Sequence, residues 1–170
     1  MTSTVRPLDG IKVVEFSHMV LGPSCGLILA DLGADVIKVE PAPGGDKTRQ
    51  LPGSGSGFFG AFNRNKRSVA VNLKSPEGYK FATNLILDSD VLIENFGIGV
   101  MDRLGLGYKA IQEINPLLIY CALKGFLSGP YENRAALDEV VQMMGGLCLL
   151  YTSDAADDSL RVDLGGRRII

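Results

Sequence analysis

The sequence predicts an α/β fold built on an open, mostly parallel, Rossmann-like sheet. Three observations predict it. Through the first 147 residues short runs rich in β-branched residues alternate with helical runs, the order expected of strand–helix–strand units. The helical runs carry proline or serine near their starts and glycine near their ends, as helix termini prefer. The chain has 170 residues, 46% apolar and 21% charged, enough for one domain of ordinary size to bury roughly two thirds of its unfolded surface without a disulfide or metal staple.

The elements follow in order. Ile11-Lys-Val-Val-Glu-Phe16 is a strand candidate. Gly22-Pro23-Ser24 opens an apolar helix that closes at Gly33. Asp35 to Val39 is a second strand, which Pro41 is expected to end. From Pro41 to Gly57 the chain is rich in glycine, proline and serine, and it reads as the longest loop. Long loops in compact domains tend to be functional or mobile. Ser68 to Asn72 is a third strand, and Ser75-Pro76-Glu77 supplies N-cap, N1 and N2 of a helix to about Leu87. Asp90 to Glu94 is a fourth strand, followed by a glycine-rich turn from Asn95 to Gly99. Short helices are expected around Met101 and from Tyr108 to Ile114, a fifth strand from Leu117 to Ala122, and a helix from Ala136 to Met144. In sheets of this kind ligands bind at the carboxyl ends of the strands, near a reversal of strand order.

Composition narrows the function. A net charge of −2 provides no electrostatic footprint for nucleic acid. Three cysteines, Cys25, Cys121 and Cys148, are odd in number and widely spaced, which suggests neither a disulfide framework nor a zinc site, and no metal is expected. The first residues lack the apolar core of a signal peptide, and no run approaches the roughly 20 apolar residues of a membrane span. A cytoplasmic protein is expected, with no membrane partner.

Among the motifs, Gly55-Ser-Gly-Phe-Phe-Gly60 fits G-x-G-x-x-G literally. The dinucleotide fingerprint requires a strand directly before it, and Pro41, Pro43 and Pro52 occupy that stretch, so the match reads as a loop. Glu15 to Ser24 runs from the first strand into the first helix and contains His18, the one histidine of the chain. His18 reads either as a loop residue or as a site residue. Asn63 to Ser68 places Arg64, Lys66 and Arg67 in one turn, either a solvated face or an anion site. Lys74, past the third strand, and Arg103, past the fourth, fall on the expected binding edge with Glu94-Asn95-Phe96-Gly97, a rim suited to a phosphate-bearing ligand. Phe96 reads equally as a ring that packs such a ligand and as a core residue. Asp138-Glu139 suits the first turn of the last helix, and Cys25 and Cys121 read as small buried apolar residues.

From Cys148 the texture changes. Cys148-Leu-Leu-Tyr-Thr-Ser-Asp-Ala-Ala-Asp-Asp158 and Val162-Asp-Leu-Gly-Gly-Arg-Arg-Ile-Ile170 resemble translated sequencing-library adaptor, in order and in frame. Ser159-Leu160-Arg161 falls where a variable index would lie. Residues 148–170 are therefore expected to form no domain, and residues 1–147 to be the natural part.

The blocks Pro7 to His18, Gly22-Pro-Ser-Cys25, Leu32 to Glu40, Gly45-Asp-Lys-Thr-Arg49, Asn65-Lys-Arg-Ser-Val69, Asp90 to Gly97, Met101-Asp-Arg-Leu-Gly105, Glu113-Ile-Asn-Pro116, Leu123-Lys-Gly-Phe126 and Asp138 to Gly146 together resemble the family III coenzyme A transferases, the CaiB/BaiF family. The resemblance implies an incomplete Rossmann-like sheet, the N-terminal part of the large domain of a two-domain enzyme. It implies transfer of CoA from an acyl-CoA to a small carboxylic acid through an aspartyl intermediate, with the CoA thioester as substrate and no permanently bound cofactor. The enzyme is expected to be an interlocked homodimer. His18, Val20, Lys74, Asn95, Phe96, Gly97 and Arg103 fall where the family lines its CoA cleft, and Asp138 where an auxiliary acid lies near the thioester. The family's nucleophilic aspartate lies beyond Leu147. Asp163 stands near the implied distance but within the adaptor-like tail. Related α-methylacyl-CoA racemases carry a histidine where Leu137 stands, and leucine takes up no proton, so a transferase is favoured over such an isomerase. A third reading is a CoA-binding chain without turnover.

Overall fold

The computed structural model describes residues 5–137, with residues 140 and 144. The chain divides into two units, Met1–Leu123 and Lys124–Ile170. In the first, five strands form one parallel sheet: β1 (Lys12–Phe16), β2 (Asp35–Pro41), β3 (Arg67–Val71), β4 (Val91–Glu94) and β5 (Ile119–Ala122). Their order across the sheet is β3-β2-β1-β4-β5. The chain builds outward from β1 on one side and then returns to the other side, so strand order reverses between β1 and β4. That is the switch point at which open α/β sheets bind ligands.

The connections are helices, as parallel strands require: α1 (Leu21–Asp31), α2 (Phe58–Phe62), α3 (Pro76–Leu87), α4 (Val100–Arg103) and α5 (Tyr108–Ile114). They cover both faces of the sheet. Val14, Phe16, Val39 and Leu92 point to one face and pack with Ala82, Ile86, Met101, Leu106 and Ile111. Val13, Val36 and Ile93 point to the other and pack with Ala30 and Ala34. Successive strand residues alternate between the two cores because side chains alternate across a pleated sheet.

Helix ends follow their local chemistry. Ser75 caps α3, its hydroxyl accepting from the Gly78 N–H at 3.1 Å, with Pro76 as first helical residue. At the end of α1, Gly33 adopts φ +113° while its N–H donates to Ala30 and the Ala34 N–H to Leu29. That is a Schellman stop, and it needs a residue free to take positive φ.

Two expectations change. β2 continues through Glu40 and Pro41, because a proline at a strand end forfeits only its own donor and the Ala42 N–H resumes bonding to the Val71 carbonyl at 3.2 Å. The expected loop from Pro41 to Gly57 contains two 3-10 turns, Lys47–Gln50 and Gly53–Gly57, and runs directly into α2. The G-x-G-x-x-G match lies in the second turn and α2, with no strand leading into it, so it is not a dinucleotide fingerprint.

In the second unit, Phe126 and Tyr131 pair with ring centroids 6.1 Å apart, and the Arg134 guanidinium lies 4.7 Å over the Tyr131 ring. Of the helix expected from Ala136 to Met144, Val140 and Met144 are helical and Ala136 and Leu137 are not. Asp138, Glu139 and residues 145–170 lie outside the described residues. No helix among the described residues is long and apolar enough to cross a membrane.

Candidate functional site

The site forms where β1 and β4 end. β1 delivers His18, exposed, in the loop between Phe16 and α1, and β4 delivers Asn95 and Phe96, both half-buried. Asn95 grips His18 with both ends of its amide. Its Oδ1 accepts from the His18 N–H at 3.0 Å, and its Nδ2 donates to the His18 carbonyl at 2.9 Å. The His18 and Phe96 rings stand 5.8 Å apart, tilted by 35°. Phe96 also packs on the core, as the second reading of that residue expects. Its N–H donates to Glu94 Oε2 at 2.9 Å, which sets the start of the turn toward exposed Gly97.

Val20 immediately precedes α1. The helix starts this close to the strand ends because Gly22 has no side chain. A Cβ there would meet the Ser17 Cβ and come within 2.9 Å of the Asn95 Cγ. Arg103 closes α4, exposed, with its guanidinium beside Gly99, where φ is +69°. Lys74 is exposed just past β3 and its N–H bonds to Asn72 Oδ1. Since β3 lies two strands from β1, about 10 Å across the sheet, Lys74 stands at a different part of the edge. His18, Asn95 and Phe96 are thus in contact, Val20 stands two residues after His18 at the start of α1, Gly97 and Arg103 follow in the stretch after β4, and Lys74 is set apart.

The cations of the 63–68 turn do not join this rim. Arg67 opens β3 and pairs with Asp35, which opens β2, at 2.5 Å. Arg64 pairs with Asp31 at 2.5 Å. These pairs sit at the amino ends of the strands, the side opposite to His18. Lys66 turns inward and pairs with Glu15 at 2.8 Å, both fully buried.

Sequence reasoning missed the charges beneath the site. Glu15, Lys38, Asp46 and Lys66 are all buried. Lys38 Nζ lies 3.4 Å from Glu15 Oε1 and 3.1 Å from Asp46 Oδ2. Among the described residues, the two buried carboxylate oxygens without a hydrogen bond, Glu15 Oε2 and Asp46 Oδ2, are those that face the ammonium groups of Lys66 and Lys38. Burial holds the Lys66 pKa below the usual lysine range, and Glu15 offsets part of that. A signal was present: Glu15 and Lys38 are register partners, each flanked by β-branched or aromatic residues within a central strand, where charge is rare unless paired. Farther along, Glu40 accepts from Arg49 Nε and Nη2, each at 2.7 Å, and Arg49 lies 3.7 Å over the Phe59 ring.

Among the described residues no group of three or more His, Cys, Asp or Glu is placed to hold a metal ion. Chemically, the edge offers an aromatic pair, an amide-braced loop and an arginine, groups that suit a large ligand with flat and anionic parts.

Comparison with known proteins agrees with that reading of the fold. The family model described as CoA-transferase family III matches residues 8–165. A formyl-CoA:oxalate CoA-transferase of Rhodopseudomonas palustris (strain TIE-1) is 46% identical over 145 residues, which cover 83% of this chain and 34% of that protein. An acyl-CoA transferase of Fusarium pseudograminearum is 41% identical over 177 residues, covering 96% of this chain and 39% of the relative. The crystal structure of a CaiB/BaiF family protein from Brucella suis superposes with TM-score 0.76 at 45% identity, covering 84% of this chain and 40% of that one. The chain therefore spans about a third of the length of the curated relatives it matches.

Proposed function

The chain belongs to CoA-transferase family III, and from that premise we propose that the protein moves CoA from an acyl-CoA to a carboxylic acid. The observation that carries the proposal is the Asn95 grip on His18, which holds an imidazole beside the Phe96 ring at the switch point of the sheet. In this reading His18 and Phe96 receive the apolar and flat parts of CoA, Val20 walls the cleft, and Gly97 leaves room for the ligand. Arg103, with Lys74 farther along the edge, meets phosphate. Formyl-CoA and oxalate are the first substrates to try, because 46%-identical relatives carry that name.

The chemistry would be covalent. A carboxylate attacks the thioester carbonyl and expels CoA thiolate, leaving a mixed anhydride. The thiolate attacks the aspartyl carbonyl and releases the donor acid, and the acceptor acid then collects the CoA by the same two steps in reverse. Among the described residues four buried carboxylates are already engaged, Glu15 by lysines, Asp46 by Lys38 and Thr48, Glu40 by Arg49, and Glu94 by the Phe96 N–H. Their engagement supports a nucleophile outside residues 5–137, and the family resemblance adds Asp138 as an auxiliary acid. Residues 148–170 belong to the same proposal as adaptor-derived sequence, with the 170-residue chain binding CoA but not turning over. Cytoplasmic location, and an interlocked homodimer for the full-length protein, complete the reading.

Calorimetric titration of the chain with CoA should show binding that Asn95→Ala weakens about tenfold, the cost of roughly one lost hydrogen bond. Absence of CoA binding, or an unchanged affinity in the variant, overturns the site. The gene should then be read in source DNA across the Leu147 codon and expressed as the full frame with formyl-CoA and oxalate. Appearance of oxalyl-CoA supports the transferase. No exchange with any acid of a broad panel rejects it, and a genome that encodes residues 148–170 rejects the tail reading.

A further inference from the structure

We propose that Asp46, acting through Lys38 and Thr48, is the positioning residue of the His18 loop; the proposal rests on the CoA reading above and deepens it. The loop consists of two successive peptide units, each held on both edges. In the Ser17–His18 unit, the carbonyl accepts from Lys38 Nζ at 2.6 Å and the N–H donates to Asn95 Oδ1 at 3.0 Å. In the His18–Met19 unit, the carbonyl accepts from Asn95 Nδ2 at 2.9 Å and the N–H donates to Thr48 Oγ1 at 3.0 Å. No polar group of either unit is left to solvent.

One carboxylate aligns the two groups on the β2 side. Asp46 Oδ2 stands 3.1 Å from the Lys38 ammonium, and Asp46 Oδ1 accepts from the Thr48 hydroxyl at 2.7 Å and the Thr48 N–H at 2.9 Å. With its proton committed to Asp46, the Thr48 hydroxyl can only accept from Met19, which fixes its direction. Asp46 is itself anchored, its N–H donating to Glu40 Oε2 at 2.8 Å. All three residues are buried.

Such bracing has a purpose in backbone energetics. Met19 sits at φ +61°, a left-handed conformation that non-glycine residues adopt at a cost. Strained residues persist where their surroundings over-determine them, and they cluster at ligand sites. Left to itself the loop would relax to ordinary φ and carry the His18 ring away from Phe96. Held by Asp46, it presents His18 and Val20 to the ligand without an ordering cost at binding.

The test uses Thr48→Val, which keeps the shape and removes the hydroxyl, beside the conservative Thr48→Ser. Amide exchange followed by NMR should quicken about tenfold at His18 and Met19 in the valine variant and stay near wild type in the serine variant. Calorimetry with CoA should show about tenfold weaker binding for valine and recovery for serine, with melting temperatures within a few degrees. Asp46→Asn, which keeps the acceptor for Thr48 but drops the charge facing Lys38, should also quicken exchange at His18, and it serves if the valine variant unfolds. Unchanged exchange at both amides, or serine behaving like valine, overturns the positioning role. Wild-type chain that fails to bind CoA while the exchange pattern follows expectation overturns the CoA reading instead.

Discussion

At Glu40 a carboxylate only 2% exposed receives both Arg49 bonds, the Ser68 hydroxyl and the Asp46 N–H. Burial by itself would raise its pKa, but these donors outweigh burial and bring it from 4.5 down to about 2. A carboxylate whose folded pKa is depressed stabilises the fold above its unfolded pKa, and that stability is lost as pH falls from about 4.5 toward 2. Arg49 is 41% exposed, so solvent screening reduces the contribution to on the order of 2 kcal/mol. Glu40→Gln should lower the urea midpoint at pH 7 and flatten the loss of stability between pH 4.5 and 2. A variant whose acid titration parallels wild type would refute this account of Glu40.

Helix α1 shows the same buried charges from the side of an element. Gly22 and Gly26, one turn apart, let it lie against the end of β1 and against the Glu15–Lys66 pair. A Cβ at Gly26 would collide with Glu15 Oε2 and stand 3.1 Å from Lys66 Nζ. Alanine is intrinsically the better helix former by about 1 kcal/mol, yet Glu15 is held by two lysines and cannot yield. Gly26→Ala should therefore destabilise by about 2 kcal/mol net, since overpacking a filled site costs 1–3 kcal/mol or so. Thermal denaturation checks the sign: a gain in melting temperature would mean that the cluster has room. Helix ends at Gly33 and Ser75 were legible beforehand because capping is local chemistry. The short helix α2 was not, because its Phe58-Phe-Gly-Ala-Phe62 run is glycine-bordered and too brief for periodicity to show. Arg49 packing over Phe59 is a contact between neighbouring turns that no window of sequence displays.

For the whole molecule, sheet order decides which residues matter. β4 lies between β1 and β5, and Leu92 is fully buried at its centre, whereas Ile119 on the outermost strand β5 is 65% exposed. Leu92→Ala should cost about 3 kcal/mol, within the range for a buried leucine, and Ile119→Ala no more than about 0.5 kcal/mol. Equal losses in chemical denaturation would contradict the strand order. The same order explains the placement of the site. His18 and Asn95 are far apart in sequence yet meet because the chain crosses back over β1 to lay β4 beside it, which brings the carboxyl ends of the two strands together.

The sequence by itself determined the five strands and the helices of the first unit other than α2, most of their boundaries, the parallel α/β class and the stretches that carry His18, Asn95 and Phe96. These depend on short-range causes: β-branching, capping and the breaking action of glycine and proline. Tertiary structure alone decided which cations are available to a ligand. Arg64, Lys66 and Arg67 look alike in the sequence as a basic turn, but β3 begins where it begins, so two of them face Asp31 and Asp35 and the third is buried on Glu15. It also decided that Lys38, Asp46 and Thr48 would hold the loop of a residue on another strand. Hydrogen bonds and ion pairs act over a few ångströms of space, and only the folded sheet brings residues 17–19, 38, 46–48 and 95 within that reach.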